Sequence, residues 1–390
     1  MPTKNDKSYF SSNFTLGILG GGQLGKMMLY ETRKFDIKTK VLDASDEAPC
    51  KIACNDFVKG DLMDYDTVIK FAEDVDVLTI EIENVNVDAL EQLENEGKTV
   101  YPPTKALRTI QNKATQKLFY VDNGIPTADF SRFAYKSEIK DSIENGGLQF
   151  PFIWKAARFG YDGQGVKVVR KAEDLENLPS GECIAEKMID FKNELAVIVC
   201  RSASGEVKTY PVVEMEFHPE ANQVEYVICP ARIDDKVAQK AQEVALKVSE
   251  KMKHVGLLAV ELFQTKDDEI LVNEVAPRPH NSGHYSIEAS YTNQFEQHIR
   301  AILDLPLGDT QSKVAGIMVN LVGAEGHTGD VEYQNMRDIL GLEGVTPHIY
   351  GKKQTRPFRK MGHVTIVNPD IAKAREIAQR VKETIKVISK

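Results

Sequence analysis

One junction near the start of the chain restricts its fold more than any other segment. The apolar run Thr15–Leu19 leads directly into Gly20, Gly21, Gly22, Gln23, Leu24 and Gly25, and from there into the helical pattern KMMLYETR. A strand that turns through glycines into a helix opens a βα unit, because glycine adopts backbone conformations that a side chain forbids and lets the helix begin close to the strand end. Further strands follow at Thr39–Leu42, ending at Asp43, and at Val77–Ile82, with a helix beginning near Asp88. Strands alternating with helices predict a parallel, doubly wound α/β sheet over residues 14–112. A mobile tail is expected over residues 1–13.

Beyond this unit the pattern changes to an α+β arrangement expected over residues 113–311. A helix starts near Thr115, and the strands PFIWKAA (151–157) and VKVVRKA (166–172) flank the glycine-rich loop RFGYDGQG as a hairpin. More strands follow at 183–189 and 194–202. Val237, Ala241, Val244, Ala245, Val248 and Met252 recur at helical spacing between Asp234–Asp235 and Gly256, which predicts an amphipathic helix. The strands 259–264 and 269–275 are joined by a turn at Asp267–Asp268. A third, small α+β unit is expected over 312–390, with strands at AGIMVNLV and MGHVTIV and a final helix opened by Pro369–Asp370.

Charge and composition exclude several classes of function. A net charge of −9 argues against broad nucleic-acid binding, so the five basic residues in KKQTRPFRK (352–360) read as a local site suited to one phosphate group. No run approaches the ~18 apolar residues of a membrane span, and the polar start has no secretory pattern, so a cytosolic location is expected. The five cysteines have no paired metal spacing and read as reduced thiols; Cys50 and Cys54 lack a second ligand pair for zinc.

Four further patterns carry chemistry. Gly20-x-Gly22-x-x-Gly25 with Asp43 has the spacing of a dinucleotide fingerprint and by itself suggests a dehydrogenase. A turn at Asp267–Asp268 places Glu261 opposite Glu274 on adjacent strands, with Asn273 alongside. Two facing carboxylates repel, and a divalent cation held by both together with phosphate oxygens turns that repulsion into a binding site. Lys155 points a cation toward the glycine-rich hairpin tip, whose backbone N–H groups can cradle phosphate. In NEVAPRPHNSGH (273–284), prolines 277 and 279 fix the backbone around Arg278 and before His280, which suits anion binding and proton handling.

On GILGGGQLGKMM, TIEIENV (79–85), FGYDGQG, NEVAPRPHNSGH and YGKKQTRPFRKMGH, the chain resembles the ATP-grasp superfamily over residues 14–390. Within it, the resemblance is to the family of 5-(carboxyamino)imidazole ribonucleotide synthases. The resemblance implies that ATP phosphorylates bicarbonate to carboxyphosphate. The exocyclic amine of 5-aminoimidazole ribonucleotide is then carboxylated, directly or through CO₂, giving N5-carboxyaminoimidazole ribonucleotide, ADP and phosphate in purine biosynthesis. It further implies Mg²⁺ on Glu261 and Glu274, and a triphosphate held by Arg108, Lys155 and the backbone of Gly160, Tyr161, Asp162, Gly163, Gln164, Gly165 and Val166. Adenine lies against Glu186, Lys187, Met188 and Ile189, Glu194 takes the ribose, and His218 and Asn273 complete the nucleotide contacts.

For the aminoimidazole ribonucleotide, the resemblance implies Tyr161, Asp162 and either Glu81 or Glu83 at the base and ribose. Lys352 and Arg359 clamp its 5′-phosphate, with Gln23 nearby. Arg278, His280 and Lys352 are the candidate catalytic residues. No NAD, nucleic acid or membrane partner is expected, and the family implies a homodimer. The resemblance implies a basic residue where Gln164 stands, which leaves Lys353 or Arg356 to supply the charge. The alternatives are a related ligase using formate, glycine or a biotin carrier, a dinucleotide-dependent oxidoreductase, and a non-catalytic nucleotide-binding regulator.

Overall fold

In the computed structural model, which describes residues 8–158, 165–218 and 223–390, the strands of the described residues form four sheets. The first contains Thr15–Leu19 (β1), Lys38–Asp43 (β2), Asp56–Lys59 (β3), Val77–Ile80 (β4) and Thr99–Val100 (β5), ordered β3-β2-β1-β4-β5 and parallel throughout. Every residue of β1 is buried, as a central parallel strand covered on both faces requires. Leu16 and Ile18 pack with Met27 and Met28 of the helix Gln23–Lys34, whereas Leu19, Leu78 and Ile80 pack with Val68, Phe71 and Leu90 from the opposite helices. The doubly wound expectation holds; β3 and β5 were not legible because one is half-exposed and the other is two residues long. Residues 8–13, expected in the mobile tail, are partly packed, with Tyr9 edge-on to Phe14 at 5.2 Å between ring centroids.

The order of strands reverses beside β1, where an open parallel sheet ordinarily binds its ligand. Here the protein's own carboxylate sits at that point. Gly20 turns with φ +102°, and the N–H groups of Gly22, Leu24 and Gly25 donate to Glu81 at 3.0, 3.1 and 3.1 Å. Asp43 accepts from Gly21 N–H at 2.7 Å. A Cβ added at Gly22 would lie 2.4 Å from Glu81 Oε1, so glycine is needed there for the approach of a side chain. The glycine spacing therefore serves an internal anion, and Glu81, expected as one alternative substrate contact, closes the fold instead.

Phe130–Phe133 (β6), Phe152–Ala156 (β7), Val166–Val169 (β8) and Cys183–Lys187 (β9) make a second sheet ordered β6-β9-β7-β8. β7 and β8 form the expected antiparallel hairpin, with Lys155 opposite Val166. Phe191–Arg201 (β10), Val207–Thr209 (β11), Val213–Phe217 (β12), Val224–Cys229 (β13), Gly256–Thr265 (β14) and Ile270–Ala276 (β15) belong to a larger sheet. The helix Asp235–Met252 covers it with all six residues expected on its apolar face. It stops at Lys253 in the left-handed region, before Gly256.

The last strands alternate between two sheets: Gly316–Val322 (β16), Gly329–Gln334 (β17), Val345–Ile349 (β18), Gln354–Thr355 (β19), Lys360–Val367 (β20) and Lys386–Ser389 (β21). β17, β19 and β21 form a small sheet. β16, β20 and β18 extend the large one, giving the order β15-β14-β10-β12-β13-β16-β20-β18, with β11 on β10. The third unit is thus fused to the second through the β13–β16 ladder, Tyr226 opposite Val319. Among the described residues, no helix is long and apolar enough to cross a membrane.

Glu81→Gln replaces one acceptor oxygen by a donor that faces backbone N–H groups. It is expected to lower the unfolding free energy by about 1–3 kcal/mol, measured by urea denaturation; an unchanged midpoint would show that the carboxylate does not hold the loop.

Candidate active site

The hairpin β14–β15 sets the centre of the site. Its turn differs from the two-residue one expected: Thr265 N–H donates to Glu269 O and Asp268 N–H to Thr265 O, with Asp268 at φ +61°. The loop therefore spans residues 266–268, which shifts the pairing by one residue, so that Leu262 faces Val272. A β-bulge then restores the register, and Glu261 faces Glu274 as expected. Asn273 is the extra residue. Along β15, Val272 and Val275 are buried while both Asn273 and Glu274 are partly exposed, so the bulge turns two consecutive polar side chains to one face.

Three lysines surround this face. Lys155 Nζ lies 2.8 Å from Glu186 Oε2 and donates to Asn273 Oδ1 at 2.9 Å. Lys117 pairs with Glu186 Oε1 at 2.9 Å and donates to Thr127 Oγ1 at 2.6 Å. Lys113 pairs with Glu274. Both Lys113 and Lys117 project from the helix Lys113–Asp122, whose start is capped by Asn112 accepting from Thr115 N–H at 3.0 Å. The spacing i, i+4 puts them on one face. Sequence reasoning missed this pair. The available signal was two lysines and Gln116 at helical spacing on the inward side of a helix, where Gln116, Lys117 and Tyr120 are all buried.

Charge in this cluster is arranged so that equal residue types behave differently. Burial alone would raise the Glu186 carboxyl, but Lys155 and Lys117 hold it below the ordinary carboxylate range. Lys113 likewise holds Glu274 down. For Glu261, burial followed by the charge of Glu274 outweighs the opposing charges of Lys360 and Lys113 and pushes it up. Glu194, on β10 opposite Phe263, is raised to about 7 by burial, against the pull of Lys155. Desolvation lowers Lys117 to about 8.

The loop after β15 faces the same carboxylates. Arg278 Nε forms an ion pair with Glu83 Oε1 at 2.9 Å, and His280 Nε2 lies 3.4 Å from Glu261 Oε1. His280 Nδ1 accepts the Ser282 backbone N–H at 3.3 Å, so the ring proton of the neutral imidazole belongs on Nε2, toward Glu261. Of the two alternatives at residues 81 and 83, Glu83 is the one brought to Arg278. The basic segment approaches from β20. Lys352 Nζ donates to Lys360 O at 2.8 Å and lies 5.6 Å from the Tyr350 ring centre, while Arg359 donates to Gln354 O at 2.5 Å. Gln23 lines a 140 Å³ cavity with Lys26, Tyr30 and His348.

Other expected residues make no contact with the three lysines among the described contacts. Arg108 is half-exposed on the helix Thr104–Ile110 and pairs with Asp88 and Glu91, so the structure does not join it to the lysine cluster. The reason is local, since two acidic side chains of the preceding helix capture its guanidinium. β9 ends at Lys187, leaving Met188 exposed beyond the strand with Ile189 after it. His218 lies edge-on to Phe358, 5.8 Å between ring centres, at a 320 Å³ cavity lined also by Lys382 and Val387. Gly165 and Val166 stand at the start of β8, whereas Gly160, Tyr161, Asp162, Gly163 and Gln164 lie outside the described residues. Lys353, a possible charge replacement, pairs with exposed Glu47.

Glu186→Leu removes the shared anion of two buried lysines, and breaking such a pair costs about 3–5 kcal/mol. Urea unfolding should show a loss of that size; a loss under about 1 kcal/mol would mean the lysines find other partners.

Residues 118–295 match the ATP-grasp domain, residues 14–111 the ribonucleotide synthetase preATP-grasp domain, and residues 316–377 the phosphoribosylaminoimidazole carboxylase C-terminal domain. The chain is 38% identical over 358 residues to N5-carboxyaminoimidazole ribonucleotide synthase of Bacillus subtilis, covering 90% of this chain and 91% of that protein. It is 39% identical to phosphoribosylaminoimidazole carboxylase of Saccharomyces cerevisiae, covering 93% of this chain but 65% of the yeast protein. The crystal structure of N5-carboxyaminoimidazole ribonucleotide synthetase from Thermotoga maritima superposes with a TM-score of 0.87 at 42% identity, over 97% of this chain and all of that one. The Aspergillus clavatus enzyme in complex with ADP and 5-aminoimidazole ribonucleotide gives 0.87 at 34% identity, over 95% and 98%. With its sequence matched along nearly its whole length, the chain belongs to the N5-carboxyaminoimidazole ribonucleotide synthase family of ATP-grasp enzymes.

Proposed function

We propose that the chain carboxylates 5-aminoimidazole ribonucleotide with bicarbonate at the expense of ATP, releasing ADP and phosphate, in purine biosynthesis. The observation that carries this reading is the placement of Glu261. It faces Glu274, within the lysine cluster, on one side and His280 on the other, so a phosphoryl donor and an acceptor can meet there. The relative from Aspergillus clavatus is described in complex with ADP and this ribonucleotide. Assembly as a homodimer in the cytosol is part of the same reading.

Among the described residues, no group of three or more His, Cys, Asp or Glu side chains converges as a metal cage. That fits Mg²⁺, which takes one or two protein carboxylates and completes its shell with phosphate oxygens and water. Glu261 and Glu274 would hold it; burial and then the charge of Glu274 push Glu261 up, and a cation would relieve both. When bound, the ion neutralises charge on the phosphates during transfer.

The chain's own residues do the rest. Lys155 and Lys113 take the phosphate charge, with Lys113 replacing Arg108 in that role because Lys113 already sits on Glu274. Bicarbonate oxygen attacks the γ-phosphorus and the β–γ bridging bond breaks, leaving ADP and carboxyphosphate. The ribonucleotide amine then bonds to the carboxyl carbon of carboxyphosphate as the bond from that carbon to the phosphate oxygen breaks, and the proton the amine loses leaves on the phosphate. Arg278, steadied by Glu83, binds the anion, and His280 holds a proton at Nε2 beside it. Glu194, whose carboxyl burial raises to about 7, takes the ATP ribose in this reading, with the strand end 186–189 along adenine. His218 and Asn273 are further nucleotide contacts. Glu83, Gln23, Lys352 and Arg359 serve the ribonucleotide, with Tyr161 and Asp162 from the hairpin tip.

ADP release is expected to require bicarbonate and a divalent cation and to rise sharply when 5-aminoimidazole ribonucleotide is added. Equal stimulation by formate with bicarbonate excluded would overturn the substrate. Glu274→Gln should lower kcat by ~10²-fold or more. Lys113→Ala should raise the KM for ATP by ~10-fold or more while Arg108→Ala changes it less than about twofold, and the reverse order would restore Arg108 to the site. Lys352→Ala should raise the ribonucleotide KM.

A further inference from the structure

The loop carrying Arg278 and His280 has little regular structure of its own, yet one distant side chain grips it. Gln294 opens the helix Gln294–Ile302 and is fully buried. Its Oε1 accepts the His280 backbone N–H at 2.8 Å, and its Nε2 donates to the His280 carbonyl at 2.8 Å. A side-chain amide thus reproduces the two hydrogen bonds of a strand partner and pins both backbone groups of a single residue. The second N–H of Nε2 reaches His284 Nδ1 at 2.9 Å. Only one amide orientation satisfies a donor and an acceptor on the same residue, so His284 Nδ1 must accept and all hydrogen atoms of the amide are used.

The grip is itself anchored. Asn293 caps the helix by accepting from Phe295 and Glu296 N–H at 2.9 and 3.0 Å, and Gln294 N–H donates to Ser286 Oγ at 3.0 Å. Phe295, Ile299 and Ile302 are packed in the core that contains Leu16 and Ile18 of β1. Close approach is built in at Gly283, where an added Cβ would lie 2.4 Å from Gln294 Oε1 and 2.3 Å from Ile198 Cδ1. With its backbone held by Gln294 and its Nδ1 by Ser282, His280 turns Nε2 to within 3.4 Å of Glu261 Oε1.

We propose that Gln294 is a positioning residue for carboxylation, acting through His280 by fixing both of that residue's backbone hydrogen bonds. This rests on the role given to His280 above. The test compares Gln294→Leu, His280→Ala and the double variant in ribonucleotide-dependent turnover, with KM for ATP and thermal melting measured alongside. Gln294→Leu should lower kcat by ~10²-fold, the size expected of an ångström-scale misplacement, with KM for ATP within about twofold. The double variant should be no slower than His280→Ala. If the Leu variant melts below assay temperature, Gln294→Glu takes its place; it keeps the acceptor for the His280 N–H but, ionised, cannot donate to the carbonyl, and the same kcat loss is expected. An unchanged kcat, or losses that multiply in the double variant, would overturn the clamp alone. Full activity of His280→Ala would overturn both the clamp and the reading of His280.

Discussion

Two carboxylates that repel each other across adjacent strands are the constraint around which the rest of the site is organised. Glu261 and Glu274 face each other because a bulge at Asn273 cancels the one-residue shift introduced by the hairpin turn. Without that bulge, alternation along β15 would send either Asn273 or Glu274 to the buried side. With it, Asn273 receives Lys155 and Glu274 receives Lys113, and the two halves of a cation cluster are fastened to one strand. Facing charges of like sign persist in a partly buried setting only when something compensates them. Lysine does so for Glu274, whereas burial and the charge of Glu274 outweigh it at Glu261, the residue that His280 approaches.

The N-terminal sheet shows how a familiar sequence pattern can mislead about its ligand. Glycine spacing at a strand–helix turn reports that something must come close to the backbone, and it does not say what. In this chain the visitor is Glu81, whose two oxygens take three backbone N–H groups at the helix start where a phosphate would otherwise bind. The next carboxylate in the same segment, Glu83, is then left to meet Arg278. A pattern shared with dinucleotide enzymes is compatible with a ligase because the anion is supplied from within.

Much of the architecture was legible because it follows from periodicity. The doubly wound sheet, the hairpin β7–β8 and the helix Asp235–Met252 all announce themselves through regular apolar spacing. The opposition of Glu261 and Glu274 was also legible, because the two irregularities of the hairpin compensate and leave the pairing that a simple two-residue turn gives. What stayed hidden depended on contacts between distant segments. Arg108 and Lys113 are five positions apart and both basic, and nothing local tells which one Asp88 and Glu91 will capture. Lys117 was hidden for a related reason: its buried ion pair needs Glu186, 69 residues later in the chain. The division at residue 312 was drawn where the chain changes character, but the ladder between β13 and β16 carries the sheet across it.

That continuity bears on how the three parts of the site keep their spacing. β14 and β15, which hold the carboxylates, lie in the same sheet as β16 and β20, and Asn281 beside His280 exchanges hydrogen bonds of 2.9 and 2.8 Å with Asn320 on β16. The N-terminal sheet is joined to this frame by buried contacts: Thr79 on β4 with His298 at 2.9 Å, and Lys26 donating to the carbonyls of Ile349 and Tyr350 at 3.2 and 3.3 Å. Each of these bonds lies close in the chain to a candidate site residue: β4 precedes Glu83, His298 lies on the helix opened by Gln294, and Tyr350 precedes Lys352. Hydrogen bonds between buried groups are directional and costly to leave unmade, so they fix relative orientation where apolar packing alone would tolerate sliding. Residues that never touch a substrate can therefore govern the geometry in which Glu83, Glu261 and the basic segment confront one another.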